Sequence, residues 1–507
     1  MVFSSYQFIF AFLPATYIAF LIAHRLGGWT AAIYVLAGAS LVFYAMWGVQ
    51  LFAVLAISLV FNYMLGNFIA KSTDQPKLAR SVMLAGIAGN LALLGYLKYT
   101  NFFVDVINQV SGAGFDHLHL LVPVGVSFFT FIQIGYLIDA YNGQLMRSNF
   151  ARYVVFGAFF PCVTAGPLVM HREIIEQLEQ RSGSAFNLRF LVTGLTMFGM
   201  GLFKKVAMAD SISPYADGVF NTVHAGGVSV DVLTAWIGAA AYALQLYFDF
   251  SGYTDMALGI AFIFGIRLPL NFDSPFKASN ISDFWRRWHI TMTRFFTNYI
   301  YSGLAMNGMR KAIAKGDSRF GKFLRCAAVP SIITFVVAGV WHGAGWNMFV
   351  YGLVHGCAIA IFLGWREFSG IALPKSVGWA LTMSVVLSAL VIFRSPDLAT
   401  AGSILASMWG LANLGFGGDP VAIAGLDIGR SVSMIVLQGA AVLLLPNTQQ
   451  ILHRDWISSD EKPSNAAIDA GLLVWRPALS GACVMALAYT VSFTTMGSGT
   501  TFLYYQF

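Results

Sequence analysis

The chain has 507 residues, of which 57% are hydrophobic and only 10% are charged, and its mean hydropathy is +0.69. Soluble globular chains are about half apolar and about a quarter charged, so this composition excludes an ordinary soluble protein. It predicts an all-α integral membrane protein that crosses the bilayer many times. The net charge of +7 does not indicate nucleic-acid binding, because the basic residues form short clusters between apolar runs.

The apolar runs are taken in chain order, because a helix needs about 20 mostly apolar residues to cross a bilayer. The first run lacks the basic start of a cleaved signal peptide, and we expect it to be a retained span. Together the runs predict eleven to thirteen membrane helices, some of them half-spans or re-entrant. The candidate spans are 7–24, 29–47, 49–70, 81–98, 119–140, 152–170, 190–208, 231–248, 253–266, 326–342, 347–365, 377–394, 431–446 and 477–495.

Basic loops alternate with loops that contain no Lys or Arg. The loops 100–118, 209–230 and 396–429 have none, and the others carry Arg25, Lys71, Lys77, Arg80, Arg147, Arg152, Arg172, Arg181 and Arg189. Because cytoplasmic loops are enriched in Lys and Arg, the N-terminus is predicted to lie outside.

The segment 267–325 is rich in Lys and Arg, and its only apolar stretch, 295–306, is too short to span. We expect interfacial or re-entrant helices on the cytoplasmic side. No linker or internal repeat is visible, so residues 1–507 are predicted to form one membrane domain. The four cysteines lack CxxC spacing, so neither a disulfide framework nor a metal site is expected.

The sequence NISDFWRRWHITMTRFF, residues 280–296, predicts one helix capped by Asn280 or Ser282. Helical spacing places Trp285, Trp288 and His289 on an aromatic face. On the other side, Asp283 and Arg287 are spaced for an ion pair. The alternative to a functional His289 is an interfacial helix with an incidental histidine.

The sequence VVAGVWHGAGWNMFVYGLVHG, residues 336–356, predicts a helix that stops inside the membrane at His342. Trp341 and Trp346 flank the break, and backbone breaks at that depth are tolerated where they line a cavity or pack inside protein. After the break, Asn347, Tyr351 and His355 form an inward polar stripe. An ionisable residue within the membrane indicates a functional site, the alternative being a hydrogen-bonded core histidine.

The sequence YALQLYFDFSGYTDMALG, residues 242–259, places Gln245 and Asp249 four residues apart, with Asp255 beyond an expected interruption at Ser251 and Gly252. A carboxylate at the centre of a membrane helix costs about 2.5–3.5 kcal/mol, so these acids need partners. We expect structural ion pairs with the basic segment downstream, and the alternative is a direct part in catalysis. Gln245 and Asp249 are also candidates for lining the passage.

Taken together, these segments resemble the membrane-bound O-acyltransferase (MBOAT) family, in particular its bacterial branch that acetylates alginate and other polysaccharides. The resemblance rests on MVFSSYQFIF, PVGVSFFTFIQIGYLIDAY at 123–141, AGPLV at 165–169, QLYFDFSGYTDMALG, FWRRWHIT, VWHGAGWNMFVYGLVHG and the final FLYYQF, in the family's order. It implies a helical fold around a central passage. It also implies that His342 is the catalytic histidine and His289 the second histidine of the active site.

The resemblance implies a membrane O-acetyltransferase in the bacterial cytoplasmic (inner) membrane. Acetyl groups from cytoplasmic acetyl-CoA would pass toward hydroxyls of an exported, alginate-like polysaccharide, with no bound cofactor. An extracytoplasmic partner of the SGNH type is expected to make the final transfer. The alternatives are acylation of a cell-wall polymer, including D-alanyl transfer, and a proton-coupled transporter or flippase.

Overall fold

The computed structural model describes residues 1–72, 74–146, 148–180, 185–411, 423, 425–452, 478–497, 502 and 503. Arg147, Arg181, much of the predicted loop 396–429 and most of the final FLYYQF lie outside the described residues. The chain forms two compact units. The first contains Met1–Leu202, Tyr253–Leu270 and Cys483–Gln506, and the second contains Phe203–Gly252 and Asn271–Ala482.

The described residues form mainly α-helices, and Phe272 and Trp288 form an isolated antiparallel bridge. The helices up to the basic segment are α1 Leu13–Ala45, α2 Val49–Lys71, α3 Pro76–Leu94, α4 Thr100–Ser111, α5 Val126–Tyr141, α6 Phe150–Ala158, α7 His171–Gln180, α8 Leu188–Phe203, α9 Asp210–Gly226 and α10 Val232–Ile263. In the first unit α5 packs on both α2 and α3, and α1 packs on α6.

The helices that follow belong to the second unit, except for α21. They are α11 Ile281–Arg287, α12 Ile290–Phe296, α13 Ser302–Lys315, α14 Arg319–Phe323, α15 Val329–His342, α16 Trp346–Phe368, α17 Lys375–Arg394, α18 Leu398–Met408, α19 Ile428–Leu444, α20 Thr448–Ile451 and α21 Leu479–Thr495. A short 3₁₀ helix lies at Pro275–Lys277. Turns of π-helix at Phe8–Phe12, Gly95–Tyr99, Lys204–Ala209, Thr297–Tyr301 and Leu324–Ala328 adjoin or join helices.

The prediction of an all-α membrane protein with many spans is confirmed. Among the described residues, seven helical stretches are long and apolar enough to cross a membrane, and four shorter apolar helices accompany them. The seven are Phe8–Ala45, Val49–Lys71, Pro76–Ser111, Leu188–Gly226, Arg319–His342, Trp346–Phe368 and Lys375–Arg394. The total of eleven to thirteen stays a prediction.

Three boundaries differ from the expectation. The helix α10 continues through Ser251 and Gly252, so the expected interruption there is wrong, and 231–248 and 253–266 are one helix. The run 152–170 is not one span, because α6 ends at Ala158 and an irregular, buried segment follows. The predicted loops 100–118 and 209–230 contain α4 and α9, which extend the preceding helices.

The segment 267–325 contains only short helices before the chain enters the stretch Arg319–His342. The single helix expected over 280–296 is wrong, because α11 ends at Arg287 and α12 begins at Ile290. Asn280 caps α11 as expected, its side chain accepting a hydrogen bond from the backbone N–H of Asp283 at 2.8 Å.

Three glycines let α15 and α16 pack backbone to backbone in the second unit. A Cβ atom on Gly339 would meet the carbonyl oxygen of Met348, and one on Gly352 would meet that of Phe335. A Cβ on Gly356 would lie 2.7 Å from the Cα of Ile332. Small residues permit such close approach between membrane helices. This contact places His342, at the end of α15, beside the first turns of α16.

Candidate functional site

His342 is the last residue of α15, where the helix stops before the extended residues Gly343 and Gly345, as the sequence predicted. Its side chain is buried in an aromatic enclosure. The imidazole centroid lies 4.7 Å from Trp341, 5.3 Å from Phe393 on α17 and 6.2 Å from Tyr351 on α16. Such walls exclude water from the ring.

His289 lies in the break between α11 and α12, with φ at 44° and no exposed surface. The extended residues Asn271 and Asp273 hold this break in place. The Ile290 backbone N–H donates to the Asn271 carbonyl at 3.0 Å, and the Asp273 N–H donates to the Arg287 carbonyl at 2.9 Å. These long-range bonds replace those of a continuous helix, because the left-handed φ of His289 does not fit an α-helix.

The side chain of Asn271 determines which ring nitrogen of His289 carries the proton. Its Oδ1 accepts from the Thr291 backbone N–H at 3.2 Å and from the Thr291 hydroxyl at 2.8 Å, so the oxygen rather than the nitrogen faces this side. The Nδ1 of His289 lies 3.1 Å from the same oxygen and must therefore donate to it. Burial lowers the pKa of His289 to about 3, so its ring is neutral at pH 7. In this tautomer Nε2 carries the lone pair.

The two histidines face one enclosure. Their ring centroids are 6.5 Å apart, close enough for one oxygen atom to lie within hydrogen-bonding reach of both imidazoles. Trp341 lies 6.0 Å and Phe250 of α10 lies 4.8 Å from the His289 ring. The arrangement can hold a hydroxyl group and remove its proton in an apolar environment.

The polar stripe on α16 is buried, as its spacing predicted. The Nδ1 of His355 accepts a hydrogen bond from the indole N–H of Trp285 at 3.3 Å, and the Tyr351 ring lies 4.8 Å from that of His355. Asn347 serves the scaffold, because its Nδ2 donates to the carbonyl of Ser395 at 2.8 Å. This bond ties the start of α16 to the end of α17, two residues from Phe393.

Two further tryptophans lie close in sequence to the histidines. Trp346 begins α16 with 53% of its surface exposed, and its place on the passage stays a prediction. Trp288 directly follows α11, pairs with Phe272 and stacks on Phe284 with ring centroids 5.6 Å apart. It therefore supports the turn that holds His289.

The buried carboxylate of Asp249 on α10 has a cationic partner. Asp249 is paired with the ammonium group of Lys205 at 2.6 Å, and Lys205 also binds Asp210 at 2.8 Å. Lys205 lies upstream of Asp249, outside the downstream basic segment where a partner was expected. Gln245 lies one turn away on α10 and is also buried.

The predicted pair of Asp283 and Arg287 is confirmed, with Nε to Oδ2 at 3.0 Å. Asp255 is 2% exposed, and its expected ion pair stays a prediction. No cluster of three or more His, Cys, Asp or Glu that could hold a metal is present in the part of the chain that the structure describes.

The sequence reasoning missed four contributors, which are Asn271, Phe250, Phe393 and Ser395. None has a local signal, because each acts on a residue far away in the chain. For Lys205, the position inside an apolar run, between 190 and 208, was the signal that could have identified a buried partner for an acid.

Comparison with known proteins gives consistent matches. The sequence model of the membrane-bound O-acyltransferase (MBOAT) family matches residues 136–404, which include His289 and His342. A peptidoglycan O-acetyltransferase of Helicobacter pylori is 36% identical over 442 residues, covering 81% of this chain and 80% of the relative. A probable alginate O-acetylase AlgI of Azotobacter vinelandii is 35% identical over 426 residues, covering 82% of this chain and 80% of the relative.

A more distant relative is a teichoic acid D-alanyltransferase of Bacillus subtilis, 28% identical over 241 residues, which covers 47% of this chain and 58% of that protein. The family match extends over more than half of this chain, and the two nearer relatives extend over four fifths of it. The chain therefore belongs to the membrane-bound O-acyltransferase family and is a multi-pass membrane enzyme of the O-acyltransferase class.

Proposed function

We propose that this enzyme transfers acetyl groups from acetyl-CoA toward hydroxyls of an exported polysaccharide, with His342 as the general base. The observation that carries the proposal is the buried pair of His342 and His289, with centroids 6.5 Å apart in an aromatic enclosure. Neutral imidazole is the side chain whose unperturbed pKa lies nearest to neutral pH.

The proposed step needs no resident cofactor. His342 removes the proton of the acceptor hydroxyl while its oxygen attacks the thioester carbonyl carbon. An ester C–O bond forms, the C–S bond breaks, and the imidazolium proton passes to the departing thiolate. A positioned base contributes about 10²–10⁴-fold in rate. The aromatic enclosure disfavours water as a competing nucleophile.

The donor side is inferred from charge. The segment 267–325 is basic, and its cytoplasmic placement would bring it to the side where acetyl-CoA is made. We propose that the protein lies in a bacterial cytoplasmic membrane with its N-terminus outside. The acceptor then approaches from outside, through the predicted passage.

The acceptor is inferred from the relatives, which are named for peptidoglycan and alginate. Both polymers lie outside the cytoplasmic membrane, so an exported polysaccharide of the alginate type is proposed here. An extracytoplasmic SGNH-type partner would receive the acetyl group and complete the transfer. The runner-up is D-alanyl transfer to a cell-wall polymer, which the teichoic acid relative supports.

The test compares His342→Ala with wild-type protein in membranes supplied with labelled acetyl-CoA. We expect label in the polymer or partner to fall at least about 100-fold, because the base is lost. His117→Ala, which removes an exposed histidine, serves as the control and should keep activity. Normal acetylation by the His342 variant at wild-type protein level would disprove the catalytic role.

The donor is tested in the same membranes. Transfer from D-alanyl carrier protein but not from acetyl-CoA would favour the runner-up. Movement of a polysaccharide across the membrane without any acyl transfer would favour the transporter alternative.

A further inference from the structure

The helix α13, Ser302–Lys315, exposes an apolar face. Met306 is 60% exposed, Met309 is 44% exposed and Ile313 is 68% exposed. Residues three and four apart share one side of a helix, so these three form a stripe. The protein-facing side is different and contains the buried Ala312 and Gly308, whose added Cβ would meet the carbonyl oxygen of Arg325.

The arc of α13 that runs from its apolar stripe to its protein-facing side is basic. Arg310, Lys311 and Lys315 lie in its last two turns, and the helix contains no Asp or Glu. All three are exposed, and none forms an ion pair with any residue that the structure describes. Neighbouring cations differ, because Arg325 binds Asp317 and Arg319 binds Glu367.

The helix is also fixed in place. It ends at Gly316 in the left-handed conformation, and Ser318 caps the next helix. That helix continues without interruption as the membrane-crossing stretch Arg319–His342. The contact of Gly308 with the backbone of Arg325 holds α13 against the beginning of this stretch. The end of α13 is therefore located at a membrane boundary.

We propose that α13 lies in the surface of the bilayer and binds anionic phospholipid headgroups through Arg310, Lys311 and Lys315. Met306, Met309 and Ile313 then enter the acyl-chain region beside those headgroups. Amphipathic helices with apolar and basic sides bind membranes in this way, and basic residues near the surface attract anionic lipid. Lipid rather than a free phosphate compound is the occupant because the apolar stripe adjoins the basic arc at Arg310.

The experiment measures hydrogen–deuterium exchange of residues 302–315 in nanodiscs of phosphatidylcholine alone or mixed with phosphatidylglycerol. For wild-type protein we expect exchange at least about threefold slower with the anionic lipid, since each Lys or Arg near the membrane surface adds to the binding of anionic lipid. The triple variant Arg310→Gln, Lys311→Gln, Lys315→Gln should lose this dependence on phosphatidylglycerol.

A matched control removes three exposed cations elsewhere, through Lys71→Gln, Lys77→Gln and Arg80→Gln. This variant has the same net charge as the first and should keep the response of α13. Equal exchange of wild-type α13 in both lipids would overturn the proposal. So would an unchanged response in the α13 variant, or protection by coenzyme A alone in pure phosphatidylcholine with no effect of phosphatidylglycerol.

Discussion

The direction of one N–H bond decides what His289 can do. Asn271 accepts at Oδ1 from both donors of Thr291, so the Nδ1 of His289 can only donate to it. The opposite ring nitrogen then has a lone pair inside the enclosure that His342 shares. The amide of Asn271 thus sets the tautomer of His289 without adding charge to a buried site.

Asn271→Leu should therefore lower kcat for acetyl transfer by about 100-fold, because the imidazole loses its orientation. Asn271→Asp keeps the acceptor and should retain more activity. Its carboxylate also raises the pKa of His289, so the acidic limb of the pH–rate profile should move to higher pH. The measurement is kcat, KM and the pH profile for both variants.

A purely structural Asn271 would give a different result. Both variants would then lose folded protein, and the remaining enzyme would have the wild-type pH profile. The pH profile of the aspartate variant separates the two cases, because its change depends on the titration of His289 rather than on the amount of protein.

The residue types of this site could be predicted from the sequence, but their arrangement could not. The histidines and the stripe on α16 follow from local spacing within known motifs. The left-handed turn at His289 does not, because Asn271 and Asp273 impose it from outside the helical pattern. Similarly, periodicity cannot show that the Asn347 amide binds the carbonyl of Ser395.

Among the elements, the hairpin of α15 and α16 depends on glycine. Gly352 is close to the backbone of Phe335 and Val336, so nothing flexible can move aside for a methyl group. Any separation of the two helices would also move His342 away from Tyr351. The packing of one helix pair therefore controls the geometry of the enclosure.

Gly352→Ala should destabilise the protein by a few kcal/mol, as overpacking does in other cores, with about 1–3 kcal/mol as the usual range. Gly402→Ala is the matched control, since Gly402 lies in α18 with no neighbouring atom within 4 Å of an added Cβ. Thermal unfolding in detergent measures both. Equal melting temperatures for the two variants would contradict the close-packing argument.

Element boundaries were predictable where a helix has a clear stop. As predicted from the sequence, α15 ends just before Gly343 and α16 begins just after Gly345. The continuity of α10 was not predicted from the sequence. Ser251 and Gly252 are tolerated inside this helix because it is buried and its neighbours pack around it. Glycine thus marks a helix end in one segment and an uninterrupted helix in another.

At the scale of the whole molecule, a membrane protein that buries charged side chains must pair them when it inserts into the membrane. Asp249 of α10 meets Lys205 and Asp210, which lie close together in the chain at a turn of π-helix. Lys205 and Asp249 are both almost fully buried. Each charge alone is costly in an apolar setting, so the three must assemble together.

Lys205→Met should therefore reduce folded protein more than Asp249→Leu. The lysine variant removes the cation that binds both Asp249 and Asp210, whereas the aspartate variant leaves Lys205 paired with Asp210. Breaking a buried pair costs about 3–5 kcal/mol, and the double variant Lys205→Met, Asp249→Leu should recover part of the loss. Fluorescence-detected gel filtration measures the folded fraction, and equal losses in both single variants would contradict this account.

The left-handed backbone at His289 also has an evolutionary consequence. Glycine or asparagine adopts a φ of 44° at lower energy than a residue with a larger side chain, so the most stable residue for this backbone is not histidine. With His289 in the reaction, as the resemblance implies, stability and activity are opposed at this position. Variants selected only for heat resistance would then be expected to lose the histidine first.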